Sequence, residues 1–163
     1  MQQYLNHSMI RLCCILFCLI PMKRGYAQQP GLKAGVAKVD ITPELPIWLT
    51  GYASREKAAS GVVHALWAKA LVIEESPAKK VIIVTVDVLG LSHEIIESVT
   101  RQVQAKYKVE QSQVLFNSSH THTGPVIWPC LDVVYELEPA DQKRVSAYSH
   151  QLTLNLVKVI DAA

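Results

Sequence analysis

The chain has 163 residues, half of them apolar, with 16 basic and 14 acidic residues and a net charge of +2. That length supports one domain with a real hydrophobic core and is too short for two, and a charged fraction of 18% excludes a solvated disordered tract or a heptad-rich coiled coil. The basic excess sits at the start: without Arg11, Lys23 and Arg24, 13 basic residues face 14 acidic ones, which leaves no charge-based case for nucleic-acid binding.

Arg11 is followed by the apolar run from Leu12 to Met22 and then by a polar stretch containing Tyr26-Ala27-Gln28-Gln29. This is the layout of a secretory signal peptide over residues 1–27. The run falls short of the roughly 20 apolar residues that a membrane-spanning helix needs. The expected location is therefore secreted, periplasmic or at the cell envelope, although Lys23 and Arg24 behind the run also suit an uncleaved anchor or a buried N-terminal helix. Cleavage after Ala27 would remove Cys13, Cys14 and Cys18, leaving Cys130 alone in a domain of residues 28–163. An internal disulfide and a cysteine-ligated zinc site are then both excluded.

Val36 to Pro43 alternates apolar and polar residues up to a proline, which predicts a short strand with Asp40 at its end. Glu44 to Gly61 has no sustained periodicity and is expected to be an extended loop of a length often used for function. Leu66 to Glu74 is a second strand, and Ser76 to Lys80 a turn. Val81 to Val88 is almost continuously β-branched, the pattern of a central strand covered on both faces. Ser92 can cap a helix reaching about Lys108, with Ile95, Ile96, Val99, Val103 and Tyr107 on one stripe. Gln113 to Asn117 is a short strand, and Pro139 to Asp161 a final helix with Val145, Leu152, Leu156 and Ile160 on one face. The expected fold is α/β: a mixed, partly parallel sheet with packed helices. The strand–helix–strand order from Val81 to Asn117 predicts a parallel pair joined by a right-handed crossover.

Ligands in such sheets gather beyond the carboxyl ends of the strands, which is where Asp87 and the segment Ser118-Ser119-His120-Thr121-His122-Thr123-Gly124-Pro125 both fall. In extended backbone, residues two apart point to the same side, so His120 and His122 can present two imidazoles to one metal ion. Zinc chemistry needs a third protein ligand and an open position besides. Asp87 has three readings: a ligand, a carboxylate that orients a histidine, or a turn-forming residue at a strand end. His64, near Gly61, can line the same site or stand free in solvent. His93 and His150 read as surface residues, and the glycosylation sequon at Asn117 lies where a strand meets the pocket, a poor acceptor position.

Taken in order, Ala34 to Pro43, Gly51-Tyr52, Ala68 to Ile73, Val84-Thr85-Val86-Asp87 and Ser119 to Pro125 resemble the N-terminal domain of neutral/alkaline, non-lysosomal ceramidases. The likeness covers roughly Gly31 to Pro125, and His-Thr-His-x-Gly-Pro is its most specific part. It implies that His120 and His122 bind a catalytic Zn2+, with a further histidine, a glutamate and a tyrosine supplied by later sequence. The family's catalytic serine, in a Gly-Asp-Val-Ser-Pro-type segment, also lies downstream of this chain's motifs, so the likeness assigns no nucleophile within the 163 residues and implies a truncated domain. The implied activity is hydrolysis of the N-acyl amide of ceramide to sphingosine and a fatty acid, on a lipid amide substrate, with peripheral membrane contact and no obligate protein partner. After Gly124-Pro125 the chain reads Val126-Ile127-Trp128 where known ceramidases usually continue with glycine. The alternative is an exported ceramidase-like domain that is non-catalytic, or that acts on a non-lipid amide or a sugar-containing compound.

Overall fold

The computed structural model describes residues 31–130 and 134–163. The expected signal peptide, residues 1–27, lies outside the described residues. Four strands form one sheet in chain order: β1 (Lys33–Asp40), β2 (Trp67–Ser76), β3 (Lys79–Val86) and β4 (Val114–Ser118). The first two pairings are antiparallel, and β3 and β4 are parallel, Val84 opposite Phe116 and Val86 opposite Ser118. Helix α1 (His93–Tyr107) makes the crossover between them, and helix α2 (Pro139–Ala162) ends the chain.

Each element follows from local chemistry. In β1 the residues alternate between the helix side and the outside, so Gly35, Ala37 and Val39 are half-buried while Val36, Lys38 and Asp40 are exposed. Pro77 and Ala78 provide the tight β2–β3 turn. Ser92 caps α1 with extended backbone, its Oγ accepting from Ile95 N at 3.3 Å. At the other end Lys108 takes the left-handed conformation and returns its N–H to the Gln104 carbonyl.

Both helices lie on one face of the sheet. Ile82, Val84 and Val86 of β3 meet Ile95, Val99 and Val103 of α1 and Leu152, Leu156 and Val159 of α2, all buried. Small residues at Ala68 and Ala70 let α2 approach β2. At β1 the approach is closer still: a Cβ on Gly35 would lie 1.6 Å from the Ala163 carbonyl oxygen, so only glycine fits beneath the end of α2. The helices are clasped to each other where Lys106 Nζ and Tyr107 OH both donate to Asp161, at 2.8 and 2.6 Å. A second, smaller cluster of Ile47, Val126, Tyr135 and Val145, flanked by Trp48 and Trp128, ties the long loop after β1 to α2. None of the described helices is long and apolar enough to cross a membrane.

One expectation is corrected. The β-branched run in β3 predicts cover on both faces, yet among the described residues only the helix side is covered. On the other side Val81 is 45% and Val36 75% exposed, and Val36, Leu71 and Ile83 line an open, largely apolar depression flanked by Lys38 and Lys69. Sequence composition records that a strand is apolar on both sides and not what stands against it.

Candidate functional site

The parallel pair sets the site. Asp87 extends the β2–β3 pairing by one step, its N–H donating to the Trp67 carbonyl at 2.9 Å while its Oδ2 accepts from Trp67 N at 3.0 Å. Ser119 N then donates to the Val86 carbonyl at 2.9 Å, the last rung between β3 and β4. Beyond that rung the segments after β3 and β4 stay in contact, with the His120 ring against the Leu89 carbonyl.

The two histidines meet by a different route from the one extended backbone would give. β4 ends at Ser118, and His120 has φ 59°, in the left-handed region that few non-glycine residues occupy. The turn brings the rings together all the same, centroids 5.0 Å apart and planes at 70°. His120 Nδ1 lies 3.0 Å from the Leu89 carbonyl. A carbonyl only accepts, so Nδ1 carries the proton, and in the neutral ring Nε2 keeps its lone pair. Such a backbone partner, fixing tautomer and ring orientation, is the usual companion of a metal-binding histidine.

His122 is held from the loop after β1. Gly51, at φ 102°, lies so close that a Cβ there would be 2.5 Å from both the Cα and Cβ of His122. The Tyr52 ring meets the His122 imidazole edge-on, centroids 5.3 Å apart, and the Arg55 guanidinium donates through Nη2 to the His122 carbonyl at 3.0 Å. The loop is itself anchored: Gly51 N donates to the Tyr135 hydroxyl at 2.9 Å, and Thr50 N to the Gly124 carbonyl at 2.8 Å. Tyr135 is 7% exposed, so this anchor stands on the small hydrophobic cluster.

Of the residues singled out from sequence, His120 and His122 are brought together. Asp87 turns one carboxylate oxygen, Oδ2, to the Trp67 N–H at the start of β2, 20 residues away in the chain. His64 is exposed on the far stretch of the loop. Among the described residues no three His, Cys, Asp or Glu side chains are grouped so as to hold a metal ion. His93 and His150 are at the surface as expected. The departure after Gly124-Pro125 also finds a physical place: Val126 and Ile127 are 1% and 3% exposed, so they serve the core and do not line an open pocket. Sequence reasoning missed Leu89, Arg55 and Tyr135. Gly51-Tyr52 stood out in the resemblance without a role, and Arg55, in an aperiodic loop, carries no pattern that would have marked it.

The model for "Neutral/alkaline non-lysosomal ceramidase, N-terminal" matches residues 32–146. The neutral ceramidase of Pseudomonas aeruginosa is 32% identical over 119 residues, 70% of this chain and 17% of that protein. That of rice, Oryza sativa, is 31% identical over 94 residues, 56% of this chain and 12% of that protein. The crystal structure of the P. aeruginosa enzyme superposes with a TM-score of 0.66 at 25% identity, over 81% of this chain and 21% of that one. A ceramidase complexed with C2 shares the fold at the same TM-score and 24% identity. The chain thus spans about a fifth or less of these relatives. Its fold and its match over residues 32–146 place it in the neutral/alkaline, non-lysosomal ceramidase family, as a member of that family's N-terminal domain.

Proposed function

We propose that this domain serves a zinc-dependent hydrolysis of an N-acyl amide, with ceramide as the substrate and sphingosine and a fatty acid as the products. The observation that supports it is the pair of imidazoles at 5.0 Å beyond the carboxyl ends of β3 and β4, one of them with its tautomer set by the Leu89 carbonyl. Neutral imidazole is a regular zinc ligand, and a strand-end position leaves room for substrate. The ground for ceramide is that the bacterial and plant relatives are neutral ceramidases.

A bound zinc ion would supply Lewis-acid polarisation of the amide carbonyl and activation of the attacking oxygen. The chain's own contribution is to hold and orient. His120 offers Nε2 because Leu89 occupies Nδ1, and His122 is presented by the loop that carries Gly51 and Arg55. Catalytic zinc sites have three protein ligands and an open position. Among the described residues two candidates come together, so the 163-residue chain by itself is expected to bind zinc weakly and to leave ceramide intact. Export through residues 1–27 and peripheral membrane contact belong to the same proposal.

Zinc affinity of the metal-free chain, read by competition with a chromophoric chelator, tests the metal role. The expected result is measurable binding lost in His120→Ala and in His122→Ala. Binding that neither substitution changes would overturn it and favour a non-catalytic domain whose histidines line a surface cleft. Turnover of a fluorescent ceramide by the isolated chain would overturn the argument from two ligands.

A further inference from the structure

The long loop after β1 contains a basic residue in an unusual position. Arg55 is half-buried, and its Nε–H is shut off from solvent with no hydrogen-bond partner among the described residues. Arginine is rarely placed so, because a buried donor left unpaired is costly. Two contacts offset that cost. Nη2 donates to the His122 carbonyl at 3.0 Å, and the guanidinium lies over the Tyr52 ring, 5.4 Å from its centroid. Tyr52 in turn meets the His122 imidazole edge-on, and His122 meets His120. Guanidinium, phenol and two imidazoles therefore form one continuous row.

We infer that Arg55 is a positioning residue for the histidine pair: it fixes the peptide of His122 and, through Tyr52, the plane of its ring. The inference rests on the metal-binding reading for its purpose but not for its geometry. The guanidinium is suited to this double duty, since it is planar, permanently charged and able to stack on an aromatic face while donating in its own plane. Gly51 brings the loop backbone against His122, and the Tyr135 hydroxyl holds Gly51 in place, so Arg55 acts from a fixed base. The same bond ties the residue two positions after the left-handed His120 to a separate segment of the chain. Arg55 touches neither imidazole directly through a hydrogen bond, so its role is orientation and not ligation.

The test uses the whole 163-residue chain, metal-free, with histidine labelled with 15N. Long-range 1H–15N spectra give separate ring signals for His120 and His122. In Arg55→Met the His122 ring signals should shift and broaden or split into more than one set, while Arg55→Lys, which keeps the charge and a donor group but not the planar guanidinium, should restore a single set in part. His122 signals in Arg55→Met that match the wild type, in a protein with unchanged circular dichroism, would overturn the inference. Should the methionine variant fail to fold, Arg55→Gln, shorter and neutral, is read in the same way. Zinc affinity is then measured on the same samples, and the expected loss is about 10- to 100-fold, as for other residues that orient a metal ligand. If the wild type binds no zinc while the ring signals respond to Arg55, the metal reading fails and the positioning role stands. If zinc binds and both ring signals and affinity ignore Arg55, the positioning role fails and the metal reading stands.

Discussion

Gly51→Ala is the most incisive perturbation of this site away from the histidines themselves. Two costs combine. At φ 102° an L-residue is strained, at roughly 1–3 kcal/mol for a sparsely populated conformation. The added methyl would also lie 2.5 Å from the Cα and Cβ of His122 and 2.7 Å from its Cγ, contacts with backbone and the root of a ring that cannot swing aside. Overpacking of this kind costs typically about 1–3 kcal/mol. The sum, about 2–6 kcal/mol less any relaxation, should appear as a lower midpoint in urea with an unchanged slope, together with displaced His122 ring signals in the NMR spectrum. Gly61→Ala is the internal control. Nothing lies within 4 Å of the new methyl there and its φ is ordinary, so the change should be neutral, or stabilising by up to about 1 kcal/mol through the unfolded chain. Equal effects of the two substitutions, or a loss below about 1 kcal/mol at Gly51 with His122 undisturbed, would refute the claim that the loop backbone is pressed against the histidine.

Other outcomes follow from the same geometry. Tyr135→Phe leaves the Gly51 N–H without its acceptor and should cost about 1–3 kcal/mol in denaturant melts, with increased amide exchange at Gly51. Asp87→Asn keeps an oxygen for Trp67 N, so it should leave zinc affinity unchanged and stability within about 1 kcal/mol; a large loss of zinc binding would return Asp87 to the metal site. Asp161 gives a pH dependence. Hydrogen bonds from Lys106 and Tyr107 hold its carboxyl below the ordinary carboxylate range, and Asp161 raises Lys106 in return. A depressed carboxyl contributes stability above the unfolded value, near 3.8, which is lost as pH falls through the folded value. Lys106 contributes below its unfolded value, near 10.5, and that share is lost as pH rises through its folded value. The clasp is partly exposed and screened, so the effect is small; thermal midpoints followed from neutral to acid pH should fall less steeply in Asp161→Asn than in the wild type.

The elements and their order were legible in the sequence because each rests on a local period. Alternation in Val36–Asp40, the β-branched run before Asp87, the serine cap at position 92 and the stripe through Val99 and Val103 depend on neighbours a few residues away. Parallel pairing of β3 with β4 was legible as well, since a helix between two strands restricts the connection. The His-x-His pair could be placed at a strand end for the same reason. How its rings meet was decided only in three dimensions. His120 leaves the extended conformation, and its proton position is set by Leu89, 31 residues earlier in the chain. His122 is held by Arg55, 67 residues earlier, and that loop by Tyr135, 84 residues beyond Gly51. Such contacts leave no period in the sequence, because a hydrogen bond across the fold constrains one atom at each end and says nothing about the residues between.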